Sequence, residues 1–561
     1  MRTFAVALAM SAALMLAACG GAAPAPLPTP TQAPVPTSAP LDLPGTELLG
    51  APGIVISCDH GADAEITCQT TDEGQRIDVR SAASTYARWS LRSAATRTPL
   101  KGNETLALRI RRSGQVAPNL YVVEQSGKRI PVPLTRHGLA DTWRTLHIPL
   151  REVKDDAGDR LDFNQVAEIQ IVFEWSDMEG SVEIAGLQFV AVWEEPVTIS
   201  EATEQLAQTL SLPAGFTAMP LAGNLRALTQ IEFAPAGDMF VSLQSGRIWR
   251  LVDQNGDGVY DTRQLYDSGY TEVVGLLSDP QDGAVWIGGR GQLYRTLDSD
   301  GDGAADLREL RIDGLVWGRH QNNGLEWNPD PDPFTGEAGH SWIYFGLGST
   351  GDLETGEGLN ATVLRFPRDG HSLDDLETVS YGNRNTYDLV WAPVPVYLAA
   401  PDGPTAWQLF ASENGPDFND APDEVNHIRW QHHYGFPSQF GAVEPATREG
   451  VPFSSPVYDV TAHASADGIA YVTNPAWPVE YRTLYVALFG EVFSPDPVGH
   501  IVERVTLEEI ETPTGEKSYR GVPSTFIAGL DRPLPLAVAP NGDLVVGDYA
   551  TGVIYDIAYT P

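Results

Sequence analysis

The sequence predicts an all-β protein in two parts, a β-sandwich over residues 45–196 and a six-bladed β-propeller over residues 197–561. Short segments of alternating apolar and polar residues recur between Gly45 and Pro196, separated by turn residues at regular spacing, as in a sandwich. Past Leu212 one pattern returns six times: an apolar strand that ends at proline, a turn with glycine, then two further strands. A unit that cannot bury both of its faces alone, repeated six times, closes into a propeller. At 561 residues the chain is too long for one ordinary domain, and its 42% apolar content is enough to give each part a core.

Residues 1–18 read as a signal peptide and not as structure. Arg2 supplies a positive end, Phe4 to Ala18 is a short apolar run, and Leu16-Ala17-Ala18-Cys19 has the form of a bacterial lipoprotein signal. Small residues admit the signal peptidase, and Cys19 would carry the lipid; the alternative is a secretory signal with an incidental cysteine. Either way the chain is expected to be exported, facing the periplasm or the cell exterior, and to meet a membrane only through its lipid. No other apolar run approaches the ~20 residues that span a bilayer. Residues 19–44 are rich in Pro, Ala and Thr with almost no charge, and form a semi-extended tether. Cys58 and Cys68, ten residues apart in an exported chain, are expected to close a short hairpin as a disulfide.

Strands are predicted at Ile54–Ile56, Leu106–Ile110, Asn119–Val123 and Glu168–Phe173. A helix over about Ser200–Leu210 follows, with Ser200 as N-cap and Glu201 and Glu204 at the positive end of its dipole. The first strands of the six repeat units end at Pro235, Pro280, Pro329, Pro393, Pro475 and Pro540. A strand near Phe216–Pro220 could close the ring against the last unit.

Charge narrows the partners. Asp and Glu number 74 against 36 Lys and Arg, a formal net charge of −38. Such a field repels nucleic acid and anionic membranes and suits divalent cations. An anionic ligand would need arginines gathered locally. The repeat places them: Arg226, His320 and Arg384 each lie nine residues before their unit's proline, and Arg532 lies eight before. If the first strand of each unit lines the channel, these residues ring one mouth.

Two calcium sites are expected from spacing. Asp298, Asp300, Asp302, Asp306 and Glu309 occupy the first, third, fifth, ninth and twelfth positions of an EF-hand-like loop, with Gly303 at the sixth. Asp253, Asn255, Asp257 and Asp261 repeat it 45 residues earlier, the interval between Pro235 and Pro280. The flanks are strands, so these are not true EF-hands.

Four blocks then occur in order: Ser380-Tyr381-Gly382-Asn383-Arg384-Asn385, Glu413-Asn414-Gly415-Pro416-Asp417, Asp423-Glu424-Val425-Asn426 and Tyr434-Gly435-Phe436-Pro437. From about Leu210 to the C-terminus the chain resembles the soluble quinoprotein glucose/sorbosone dehydrogenases, six-bladed propellers that use pyrroloquinoline quinone (PQQ) and calcium. The resemblance implies that His320, in Gly318-Arg319-His320-Gln321-Asn322-Asn323-Gly324, accepts the substrate hydroxyl proton as hydride passes to the quinone. It implies that Arg384 and Asn385 contact the quinone oxygens, that carbonyls of Gly415 and Pro416 hold calcium, and that Asp423 and Glu424 form a further calcium position. Arg319 and Arg532 would pair with the cofactor carboxylates, because guanidinium binds carboxylate bidentately. Trp143–Leu150 and Gly180–Phe189 resemble the end of a galactose-binding-like jelly roll, which implies either a glycan site in the sandwich or a spacer.

The chain departs from the pattern after Thr483–Leu488, where family members carry a basic residue: here Glu491 follows, and no basic residue appears before Arg504. Glu272 and Val273 stand where a glutamine is often found. Two readings therefore remain: a PQQ-dependent oxidoreductase acting on a sugar, aldose or related alcohol, or a non-catalytic propeller that binds glycans or another surface ligand. A calcium-dependent hydrolase of the lactonase type ranks last, since the sequence shows no carboxylates in phase at the channel mouth.

Overall fold

Six short apolar strands, each cut off by proline or a turn, organise most of the chain. In the computed structural model they are Leu228–Phe233, Gly275–Ser278, Asn322–Trp327, Thr386–Pro395, Ala466–Tyr471 and Pro533–Val538, and each is the innermost strand of its own sheet. Every inner strand touches the next, and the sixth touches the first, so the six sheets form a closed order. The structure describes residues 47–561 apart from residue 52 and residues 94–104, 156–157, 163–164, 356–357, 397, 399–401, 418–419, 443–449, 492–496 and 513–514. Residues 1–18, the tether over 19–44 and Cys19 lie outside the described residues.

The protein is all-β, with eight sheets among the described residues. Closure is made by the strand ahead of the first repeat: Phe216–Ala222 pairs antiparallel with Val553–Tyr559 and completes the sixth sheet from the outside. The helix runs over Glu201–Thr209, and the Ser200 side chain accepts from Thr203 N.

Two five-stranded sheets make up the N-terminal part and share one core that includes Trp89, Leu108, Ile171 and Phe189. Cys58 and Cys68 are joined by a disulfide. Their strands, Ile54–His60 and Glu65–Thr71, belong to different sheets, so the bond ties the two layers together and does not close a hairpin. Glu194–Pro196 pairs with Thr262–Gln264 at the outer edge of the first ring sheet, so the end of the sandwich segment belongs to the ring.

A buried ionic centre joins the two parts. Asp267, fully buried at the end of the strand Thr262–Asp267, accepts from Arg151 Nη1 at 2.9 Å and Arg308 Nε at 3.1 Å, and from the Tyr270 hydroxyl. Arg308 also lies over the Tyr270 ring at 4.1 Å. Glu152 pairs with Arg247 at 2.6 Å beside it. Burial alone would raise the Asp267 carboxyl, but Arg308 and Arg151 outweigh it and hold it below the usual range.

The channel edges of the inner strands are capped in rotation. Glu232 accepts from Ser278 N in the second sheet, Glu326 from Trp391 N in the fourth, and Asp388 from Ile469 N in the fifth. Each carboxyl supplies an acceptor to an N–H that no further strand can reach. None has an ion-pair partner among the described residues. Burial pushes Glu232 up to about 8 and Asp388 to about 7; Asp467, bonded to Asn414 Nδ2, rises to about 8.

Two outcomes are expected. A carboxyl whose pKa is raised on folding stabilises the fold fully below its unfolded value near 4, and that contribution is lost as pH rises through 7 to 8. Denaturant titration should therefore give a lower stability at pH 8.5 than at pH 6.5, by at least about 1 kcal/mol. Over that range the buried histidines stay neutral in the fold while the unfolded chain still half-protonates them at pH 6.5, so each opposes this trend by no more than about 0.4 kcal/mol. Asp267→Ala, which strands two arginines in the interface, should cost about 3–5 kcal/mol in the same titration.

Candidate functional site

The segments that precede the inner strands meet at one mouth. His320 sits two residues ahead of the third inner strand, and its backbone N donates to Ser349 O at 3.2 Å while Arg319 N donates to Thr350 O at 2.8 Å. Gly348 makes the approach possible: a Cβ there would lie 2.5 Å from His320 Cβ and 2.7 Å from Asn385 Oδ1. His320 Nδ1 is 3.0 Å from both Ser349 O and Ser349 Oγ. A carbonyl only accepts, so Nδ1 carries the proton and Nε2 holds the lone pair. Burial, then the charges of Arg384 and Arg319, lower His320 to about 3, so the ring is neutral.

Arg384 opens the fourth sheet and is 2% exposed. Its guanidinium donates to Asp352 Oδ1 at 2.7 Å, Asp352 O at 3.0 Å and Asn414 O at 2.8 Å. Arg319 pairs with Asp417 and lies 3.4 Å from Asp352 Oδ1, which also accepts from Asp417 N at 3.1 Å. One carboxylate therefore serves both arginines. Burial opposes its ionisation, but the Asp417 N–H and the two guanidiniums hold Asp352 below the usual range. Asn385 Oδ1 accepts from Asn323 Nδ2 at 2.9 Å, which fixes the amide beside His320.

The turn after Glu413 supplies oxygen atoms. Gly415 N donates to Asp423 Oδ1 at 2.7 Å, and Asp423 Oδ2 accepts from Ser465 N at 2.7 Å. A Cβ on Gly415 would meet Pro422 O at 2.2 Å, so only glycine fits. Asn414 Oδ1 is buried with no hydrogen-bond partner. Directly beneath, Glu413 and Glu424 face each other across paired strands, and both accept from Asn426 Nδ2 at 3.2 Å. Glu413 also takes Arg384 N at 2.6 Å. Burial raises both carboxyls, and Glu413's charge raises Glu424 further.

Across the mouth, Arg532 lies over Phe489 at 5.2 Å, and Phe489 stacks edge-on with Tyr549 at 5.4 Å. Neither Arg532 nor Arg226 has a carboxylate partner among the described residues. Glu272 pairs with Arg290, whose Nε donates to Gln321 Oε1 at 3.3 Å.

A family model described as "Domain of unknown function (DUF7133)" matches residues 230–561. The chain belongs to that family. The DUF7133 match covers the mouth just described except Arg226. No curated protein matches the sequence. Among solved structures, the chain is similar to the PQQ domain of pyranose dehydrogenase from Coprinopsis cinerea, at 14% identity and a TM-score of 0.50 over 62% of this chain and 97% of that one. A Trichoderma reesei carbohydrate-active enzyme of family AA12, solved with calcium, matches at 14% and 0.50 over 63% and 97%. The PQQ-bound aldose sugar dehydrogenase of Streptomyces coelicolor is 19% identical over 62% and 99%, with a TM-score of 0.45. At 14% identity the first two matches show a likeness of fold alone.

In this DUF7133 member His320, Arg319, Arg384, Asn385 and Gly415 come together, while the EF-hand-like loops do not join them. Both loops link the third and fourth strands of their sheets, at the end opposite the mouth. Carboxylate oxygens of Asp298, Asp300 and Asp302 lie within 4.8 Å of one another. Asp306 instead accepts from Ser299 N and Oγ. Glu309 stands away from the loop: it lies in the strand Leu307–Asp313 and pairs with Arg311 at 3.1 Å and Arg295 at 3.6 Å. In the other loop Asp253 and Asp261 accept loop N–H groups, and Asn255 Nδ2 donates to Asp261 Oδ1. Its carboxylates do not converge as those of Asp298, Asp300 and Asp302 do.

Sequence reasoning missed Asp352 and the facing of Glu413 on Glu424, which it named only as a calcium candidate with Asp423, as well as the acids of the inner strands. The last were partly visible, since Glu232 and Glu326 each stand three residues before their unit's proline. Among the described residues these channel acids are not gathered as a metal-ligating group of three.

Gly348→Ala should keep the far-UV circular dichroism spectrum and cost about 1–3 kcal/mol, because His320 and Asn385 are both pinned and must shift. The His320 imidazole resonances should move in the same variant.

Proposed function

We propose that the ring is a six-bladed propeller carrying a quinoprotein oxidoreductase site for a sugar, aldose or related alcohol, preceded by a jelly-roll-like sandwich that serves as a packing unit. The observation that carries this is His320. Its proton is held on Nδ1 by Ser349, which leaves the Nε2 lone pair at the mouth beside two arginines.

The residues fit PQQ and calcium. In a chain with twice as many acids as bases, Arg532 and Arg226 have no carboxylate partner among the described residues, which suits a carboxylate-bearing ligand. The buried Asn414 Oδ1 lacks a donor next to Gly415 and Pro416, an acceptor set that suits a hard cation. Arg319, Arg384, Asn385 and Arg532 would hold PQQ, with Gly415 and Pro416 at the calcium. PQQ, when bound, supplies a two-electron hydride acceptor. His320 Nε2 takes the hydroxyl proton of the substrate. Anionic ligand at the mouth offsets the arginine charges that depress His320, and so makes the ring a stronger base. Calcium is proposed also at Asp298, Asp300 and Asp302, and export with a lipid on Cys19 follows from the residue pattern at 16–19.

One observation favours the second reading, a ligand-binding ring without catalysis. Asp352 and Asp417 already neutralise Arg384 and Arg319, and Glu491 stands where a basic residue is expected.

Calorimetric titration of PQQ into the calcium-loaded chain separates the two. Binding weakened at least tenfold in Arg532→Ala supports the first reading. His320→Ala should then retain PQQ binding and calcium-dependent stability while losing more than about 100-fold in oxidation rate. Absence of PQQ binding with intact calcium stabilisation would leave only the second reading.

A further inference from the structure

Trp317 stands three residues before His320, at the rim of the mouth, and is 53% exposed. Its place is fixed from behind. Gly291 lies in the turn between the strands Val285–Gly289 and Gln292–Leu297, with φ +74°. A Cβ there would lie 2.9 Å from Trp317 Cδ1, so the indole rests on bare backbone. Leu315 N donates to Gly291 O at 3.0 Å, and Gly291 N donates to Asn322 Oδ1 at 2.8 Å. The turn, the Trp317 segment and the start of the third inner strand therefore form one unit.

Arg290 holds one side of the indole, with Cζ 5.0 Å from the ring centroid. Its own position is set at three points. Arg290 N donates to Thr271 O at 2.8 Å, its guanidinium pairs with Glu272, and its Nε donates to Gln321 Oε1 at 3.3 Å. Glu272 has φ +45°, a conformation that a residue with a side chain keeps only when its surroundings impose it. Gln321 Nε2, next to His320, donates to Glu272 O at 2.7 Å and is part of what imposes it. A single exposed tryptophan is ordinary. One stacked on a guanidinium that is moored by a strained residue is a prepared surface with one face left for a ligand.

The chemistry around the indole selects the ligand. Glu272 and Arg290 together carry no net charge, and both are part-exposed. An acyl chain or apolar peptide laid over Trp317 would strip water from this pair and replace none of its hydrogen bonds. A pyranose has an apolar face for the indole and hydroxyls for the carboxylate and the guanidinium. Distance sets which pyranose it is. Three residues span at most about 11 Å, which is within reach of a neighbouring ring. The Arg290 guanidinium stands between Gln321 and the indole, so a ring placed at His320 does not cover Trp317 as well.

We propose that Trp317 is a stacking subsite for the sugar unit adjoining the one at His320, so that the substrate is a neutral oligosaccharide or glycoside and not a free monosaccharide. This rests on the reading of the mouth as a sugar-oxidising site.

The test is calorimetric titration of the intact, calcium-loaded chain, with and without saturating PQQ, using monomers to tetramers of glucose, xylose and mannose. In at least one series the dimer or trimer should bind about tenfold or more tighter than its monomer. Trp317→Ala should abolish that gain with length, and Trp317→Phe should keep it within about threefold. Trp317→Leu, which fills the space against Gly291 without an aromatic face, should behave as Trp317→Ala does and serves if the latter fails to fold. Equal binding of monomer and oligomer, a gain with length that survives Trp317→Leu, or no binding of any series in either state would each overturn the proposal. Titration of PQQ itself separates the two readings. A length gain lost in Trp317→Leu, in a chain that does not bind PQQ, would sink the oxidoreductase reading and leave the subsite standing. PQQ binding without any length gain would sink the subsite alone.

Discussion

The hydrogen bonds between Phe216–Ala222 and Val553–Tyr559 hold the rest of the structure in place. A closed order of six sheets is held shut where its two chain ends meet in one sheet. The joint is also an apolar seam: Phe216 packs against Trp477, Tyr481, Phe526 and Tyr559, with centroids between 4.7 and 5.1 Å. Opening it would uncover both a sheet edge and this cluster. Everything at the mouth depends on the joint, because His320, Arg384 and Arg532 come from three different sheets and are brought together by nothing local.

Closure also creates an electrostatic problem that the inner strands solve with neutral acids. N–H groups along the channel edges cannot reach another strand, and carboxyls from neighbouring sheets reach them instead. An ionised carboxylate without a counter-ion would be expensive there. A carboxyl with a raised pKa keeps the acceptor oxygen and sheds the charge. At the mouth the opposite arrangement holds, with Asp352 ionised between Arg384 and Arg319. The same residue type plays two parts, set by whether a guanidinium is within reach.

Much of the ring was legible because proline and glycine mark each unit at the same phase. Five of the six inner strands end two to four residues before their unit's proline and the fourth runs two residues past Pro393, while Arg226, His320, Arg384 and Arg532, eight or nine positions before theirs, lie just ahead of the inner strands. Ser200 was readable as a cap from its own chemistry. What could not be read were contacts between residues far apart in sequence with no repeat to relate them. Arg151 and Asp267 are separated by 116 positions, and nothing in either segment announces the other. Asp352 sits in a connecting turn whose phase differs from that of the repeat. Cys58 and Cys68 were readable as a pair, but spacing alone does not reveal that their strands part into different layers. Glu309 fits a loop consensus, and lost its place because two arginines on adjacent strands compete for it.

The clasp of Asp352 on the two arginines gives the mouth the character of an ion exchanger. A counter-ion attached to the same chain is present at a far higher effective concentration than any small anion in solution. Chloride, acetate or a single free carboxylate must displace it one contact at a time and gains little. A rigid ligand with several carboxylates can engage Arg532 and Arg226 while it loosens Asp352, and pays the cost of ordering once. Selection of an anion at this mouth would therefore be by number and spacing of charges more than by charge alone.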